Sequence, residues 1–228
     1  GGILNGRKIS EFLKTGCIDF PNAMLAKAYH GIIRRDLFEQ IYQRTGKYCG
    51  GLSPDIYLSV ALSSLIDEVV CLNIPVTIFG ACKQSTTGDS LNKVNVGKLE
   101  NAPHFVGQQY EWSKMVPRYY CGMNIWADSA LHALSDMREY EMIKLFSIEH
   151  LTSFCLLNYK DYSKEIMENF YLNCGDERLL NELISKERVE FRKAKLKAFI
   201  RQQKIIFEVY KKIRDYYYKI RKSQTFSG

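Results

Sequence analysis

No apolar run in the 228 residues approaches the ~20 needed for a helix to cross a bilayer. The longest, Val60 to Ile66 and Val69 to Leu72, are core-sized and broken by Ser or flanked by acidic residues. No basic-then-apolar leader opens the chain, so nothing points to secretion. The seven cysteines are scattered, odd in number and contain no Cys-x-x-Cys pair, which argues against a disulfide framework or a zinc knuckle and fits a reducing cytoplasm. Neither Gly-x-x-x-x-Gly-Lys-Ser/Thr nor Gly-x-Gly-x-x-Gly occurs, so the two commonest glycine-rich phosphate cradles are excluded. Internal repeats and low-complexity tracts are missing too. The chain opens Gly-Gly-Ile without a methionine, as expected of a fragment or a processed chain.

What is present is unevenly spread. The net charge is +7, yet residues 183–222 hold 14 Lys/Arg against 4 Asp/Glu, whereas the remainder holds 18 against 21. The basicity therefore belongs to one C-terminal segment. Its apolar positions Leu196, Phe199, Ile206, Tyr210, Ile213, Tyr217 and Ile220 are spaced by three, four or seven, which predicts a long amphipathic helix from Asp176 to about Lys222.

Upstream, short helices are expected over residues 7–15 and 34–44, the second closed by Gly46. Residues 29–33 read as a short strand or a lead-in loop. The stretch Gly46-Lys-Tyr-Cys-Gly-Gly-Leu-Ser-Pro-Asp-Ile-Tyr57 then turns on three glycines and opens a helix. Ser53 stands at the N-cap and Pro54 at the first helical position, which places Asp55 in the first turn. A carboxylate there either complements the helix dipole or, at the mouth of a glycine-rich turn, serves as a base. Strands are expected at 69–72 and 76–79, the second running into a small-residue loop, 80–90. Residues 91–122 read as irregular, and from about 126 the chain turns helical, with a boundary near 174–182.

The order of several short pieces is the most specific signal. Tyr29-His30-Gly31 with Arg34-Arg35, then Thr45-Gly46-Lys47-Tyr48, Ser53-Pro54-Asp55-Ile56-Tyr57 and Pro75-Val76-Thr77-Ile78-Phe79-Gly80-Ala81 with Ser85 follow one another. Glu111-Trp112 to Pro117 and Trp126-Ala127-Asp128-Ser129-Ala130-Leu131 come next. Over roughly residues 20–138 this order resembles bacterial family 2 glycosyltransferases of the GT-A fold, of the kind found in surface-polysaccharide and O-antigen assembly. The resemblance implies an α/β, partial GT-A domain over residues 1–138, its acceptor-side portion, followed by a helical C-terminal region, 139–228. It also implies a nucleotide-diphosphate-sugar donor, a glycan or lipid-linked acceptor, and transfer with inversion. A divalent metal, manganese or magnesium, is expected in the whole enzyme. The Asp-x-Asp motif that would hold it on the donor diphosphate is absent from these residues, so the donor-binding half is expected upstream and this chain is not expected to transfer sugar by itself.

Carried onto this sequence, the resemblance makes Asp55 the base, with Pro54 where family members often have Glu. Tyr57 belongs to the same motif. His30, Arg34 and Arg35 are candidate contacts to diphosphate or acceptor, Arg because its fork matches phosphate oxygens. Lys83 and Ser85 are the candidate phosphate or sugar contacts in the 80–90 loop, and Trp112 a candidate stacking face for a sugar. His104 reads as a metal-side ligand or a packing residue; His132 and His150 are assigned to helices without function. The basic helix suits an anionic membrane surface, consistent with a cytoplasmic, peripherally bound enzyme. The alternative from another class is a nucleic-acid-binding or protein-interaction module on that helix, although no nucleic-acid motif is present and no nucleic-acid partner is expected.

Overall fold

A computed structural model describes residues 2–5, 8–71, 96–101 and 110–202. Two helices form its centre. Helix α3 (Pro54–Leu65) carries no charge from Ile56 to Ile66 and is apolar on most faces; accordingly every residue from Ile56 to Ser63 is buried. It packs against α4 (Gly122–Asp136), whose buried positions include the small residues Ala127, Ser129, Ala130 and Ala133. Small side chains on the facing surface let the two helices approach closely. Around this pair lie α1 (Lys8–Lys14), α2 (Arg35–Thr45), α5 (Tyr140–Ile143), α6 (Ile148–Asn158) and α7 (Ser163–Leu172). Fully buried Leu13, Ile41, Leu151, Ile166 and Phe170 come from these outer helices.

The expected α/β layering is not supported. Among the described residues the sheet consists of two antiparallel strands, β1 (Gly2–Asn5) and β2 (Glu68–Cys71), paired from Gly2 opposite Cys71 to Asn5 opposite Glu68. Strand β2 matches the expected strand at 69–72; the one expected at 76–79 and the 80–90 loop lie outside the described residues. A parallel sheet needs several apolar strands joined by crossovers. Here the apolar residues fall mainly at helical spacing, and helices dominate. Residues 29–33 are not a strand either: Ala28–His30 is a 3₁₀ turn packed on α3.

Two compact units divide the chain, Gly1–Leu180 and Asn181–Gly228. The helices over residues 140–172 therefore share the first unit with Asp55. Helix α8 (Glu177–Gln202) starts in the first unit, where Asp176 Oδ1 accepts from the backbone N–H of Arg178 at 2.9 Å and Leu179 at 3.2 Å. In the second unit it continues to Gln202; Ile206, Tyr210, Ile213, Tyr217 and Ile220 of the expected stripe lie outside the described residues. No helix among the described residues is long and apolar enough to cross a membrane. Cys17, Cys49, Cys121, Cys155 and Cys174 are free thiols.

Candidate functional site

The glycine-rich turn is held at both ends. Helix α2 stops at Gly46, whose left-handed φ of 73° lets its N–H return to Tyr42 O at 2.7 Å. At the far end Gly51 has φ +67°, and a Cβ there would stand 2.8 Å from both Cβ and Oγ of Ser129 on α4. Only glycine permits that approach. The same Ser129 hydroxyl accepts from two backbone N–H groups, Leu52 at 3.1 Å and Ser53 at 2.9 Å, and so ties the start of α3 to α4. A second clamp closes the turn from the other side. Tyr57 OH donates to Asp136 Oδ2 at 2.8 Å, and Lys47 Nζ meets the same oxygen at 2.8 Å. Burial and the Asp136 carboxylate both push the Tyr57 phenol well above its usual range.

Asp55 emerges from this frame half-exposed in the first turn of α3, at the place the sequence predicts. Ser53 occupies the N-cap, but its hydroxyl makes no cap hydrogen bond; instead it donates to Asp55 Oδ1 at 2.5 Å. Asp55 Oδ2 accepts no hydrogen bond among the described residues. The segment 26–29 is tied to α3, with Ala26 N–H donating to Ser63 Oγ at 2.9 Å, and the charge of Asp55 acts on both Lys27 and Tyr29. Lys27 Nζ donates to Phe20 O at 2.6 Å and sits 3.4 Å from the centre of the Phe20 ring. Burial lowers its pKa to about 8, against the opposing pull of Asp55 and Asp19.

A buried carboxylate beside Ser129 organises the neighbouring segment. Asp128 is fully buried; it accepts from Tyr110 OH and from Ser113 N–H at 2.8 Å, and its Oδ1 lies 3.5 Å from His132 Nε2. That nitrogen is also 2.8 Å from Glu111 O. The Asp128 hydrogen bond raises the His132 pKa above its usual value, against the effect of burial. Asp128 and Ser129 are consecutive on α4, so one turn of helix anchors both the glycine-rich turn and the 110–113 segment. From the sequence, His132 reads as a helix residue without function. The available signal was the Asp-x-x-x-His spacing, which puts both side chains on one face of a helix.

The remaining candidates separate. Arg34 is bound to Asp36, with Nε to Oδ1 at 2.9 Å and Nη2 to Oδ2 at 2.5 Å, and Arg35 reaches Glu39 at 3.3 Å; both arginines and His30 are exposed. Tyr57 is a strut inside the core rather than a wall of an open site. Trp112 is buried, its indole N–H donating to Val116 O at 3.0 Å, next to Ser113, whose N–H Asp128 holds. Lys83, Ser85 and His104 lie outside the described residues. Among the described residues no three His, Cys, Asp or Glu side chains are placed to hold a metal ion. Comparison of the chain with protein-family models, with curated proteins and with solved structures finds no match.

Proposed function

We propose that this chain is the acceptor-side portion of an inverting glycosyltransferase, acting in polysaccharide assembly on a glycan or lipid-linked acceptor. The observation that carries the reading is Asp55 itself. One carboxylate oxygen is fixed by Ser53, the other accepts no hydrogen bond among the described residues, and the carboxylate stands at the end of a turn held by two clamps. That arrangement suits a general base, which must be oriented without being used up by partners. The acceptor hydroxyl would attack the anomeric carbon of the donor as the bond from that carbon to the diphosphate oxygen breaks. The electron pair leaves on the diphosphate and the hydroxyl proton passes to Asp55. Lys27, its charge close to the Asp55 carboxylate, supplies a positive neighbour on the acceptor side.

In this reading the nucleotide-sugar and its divalent metal are held by a donor-binding half carrying the Asp-x-Asp motif that these residues lack. The parallel sheet of a GT-A domain would belong chiefly to that half. The basic segment 183–222 would hold the enzyme against the anionic cytoplasmic face of a membrane, where lipid-linked acceptors are presented.

The test is sugar transfer by the full-length parent enzyme with Asp55→Asn. Turnover should fall about 10²–10⁴-fold, the usual worth of a general base, with donor binding retained. Unchanged turnover would sink the assignment.

A further inference from the structure

Two of the free thiols meet inside the first unit. Cys121 stands at the N-cap of α4 and Cys155 on α6, both fully buried. Asn124 gathers them: its backbone N–H donates to Cys121 Sγ at 3.5 Å, and Cys155 Sγ donates to its Oδ1 at 3.3 Å. The Asn124 side chain is itself fixed, its Nδ2 donating to Pro117 O at 3.2 Å and to Tyr119 O at 3.1 Å. The two sulfurs are also within hydrogen-bond reach of each other. The Tyr119 hydroxyl lies beside both, buried and without a hydrogen-bond partner.

The two thiols are not equivalent. Cys121 takes the cap position that Ser, Thr, Asp or Asn usually fill, where helix N–H groups and the positive end of the dipole favour a negative sulfur. Burial opposes that charge, but the hydrogen bonds from Cys155 and from Asn124 N–H outweigh it and hold the Cys121 thiol below its usual range. Burial, reinforced by Cys121, pushes the Cys155 thiol well above its own. A thiolate at a helix N-terminus, beside a second thiol that keeps its proton, is the arrangement of an attacking and a resolving cysteine. Cys17 is the contrast: it is equally buried, but burial alone acts on it and it stays protonated.

We propose that Cys121 and Cys155 are a peroxide-responsive thiol pair, which closes to a disulfide between the start of α4 and α6. The Cys121 thiolate attacks one oxygen of hydrogen peroxide and the O–O bond breaks. Cys121 becomes a sulfenic acid, and the departing hydroxide takes up the proton that Cys121 gave. The Cys155 sulfur then attacks the sulfenic sulfur; the S–O bond breaks, and the second hydroxide leaves with the Cys155 proton as water. In sum, two thiols and one peroxide give one disulfide and two waters. The Tyr119 O–H, unused in the reduced protein, is a donor available to the sulfur that carries the charge. Burial makes the first step slow, since peroxide enters only when the helices open locally. A bridge that dithiols can reverse belongs to the transient, sensing kind found in reducing compartments.

The test is mass spectrometry of the full chain after the folded protein has stood with hydrogen peroxide, remaining thiols being alkylated in denaturant before digestion. The expected result is a loss of two hydrogens and a cross-linked peptide joining Cys121 to Cys155, as the main pairing among the seven cysteines. Dithiothreitol should abolish that peptide. Cys121→Ser keeps a capping oxygen and should give no such cross-link; Cys155→Ala removes the resolving sulfur and should leave a Cys121 sulfenic acid that dimedone captures. The wild-type peptide decides the question even where a variant fails to fold. The inference would be overturned if peroxide oxidises exposed Cys49 and Cys174 while Cys121 and Cys155 stay alkylatable, or if the cross-link forms only in urea-unfolded protein.

Discussion

At the scale of single residues, the glycine-rich turn rests on two kinds of requirement, conformational and steric, and Gly51 meets both. Its φ of +67° and the 2.8 Å approach to Ser129 mean that Gly51→Ala should cost about 2–4 kcal/mol, combining a left-handed backbone with overpacking. Urea unfolding of the two proteins measures it directly, and a cost under about 0.5 kcal/mol, the level of an ordinary surface change, would show that the turn relaxes freely. His132 gives a prediction in pH. Because its folded pKa is raised above the unfolded value, the stabilisation it provides is fully present below the unfolded pKa and is lost as pH rises through the folded one. Stability should therefore decline as pH rises above the ordinary histidine value of about 6.5, by an amount that His132→Gln removes. Equal slopes in the two proteins would rule out the Asp128 pairing as its source.

At the scale of elements, α4 is a fastening strip. Asp128 holds the 110–113 segment and Ser129 holds the start of α3, so damage at either position should propagate to a loop rather than stay local. Asp128→Ala would remove the acceptor of the part-buried Tyr110 hydroxyl and of the Ser113 N–H, together with the carboxylate beside His132, and should cost about 3–5 kcal/mol, as breaking a buried charged network does. Faster hydrogen exchange at Ser113 N–H in a partly destabilised variant such as Asp128→Asn would identify the segment released. Asp176 is a more modest fastening. Its carboxylate caps α8 through two backbone N–H groups, and Asp176→Ala should cost about 1 kcal/mol.

At the scale of the whole molecule, charge is segregated along the chain. Residues 183–222 carry the excess of Lys and Arg while the rest is mildly acidic, so electrostatic partners should be found by the C-terminal segment. A chain ending at residue 180 should lose binding to vesicles containing phosphatidylserine. The intact chain should lose it as salt rises from about 0.05 to 0.5 M, since screening shortens the reach of surface charge to a few ångströms. Salt-sensitive binding to nucleic acid without binding to vesicles would favour the other use of the same helix.

Much of the local structure was legible in the sequence because it is set by near neighbours. Gly46 stops α2, Pro54 starts α3, and the uncharged stretch from Ile56 to Ile66 demands burial on all sides. Asp55 could be placed in a first turn for the same reason, without knowing what stands opposite it. What only the tertiary structure decided are the pairings across dozens of residues: β1 with β2, Ala26 with Ser63, Tyr57 with Asp136, and Ser129 with the glycine-rich turn. The Ser53 hydroxyl is the smallest instance, since its sequence position indicates a cap, whereas in the fold it makes no cap hydrogen bond and donates to the Asp55 carboxylate. Periodicity and capping act over one turn of helix and are written in consecutive residues. A long-range contact depends on how separate helices pack, and no window of the sequence contains both of its partners.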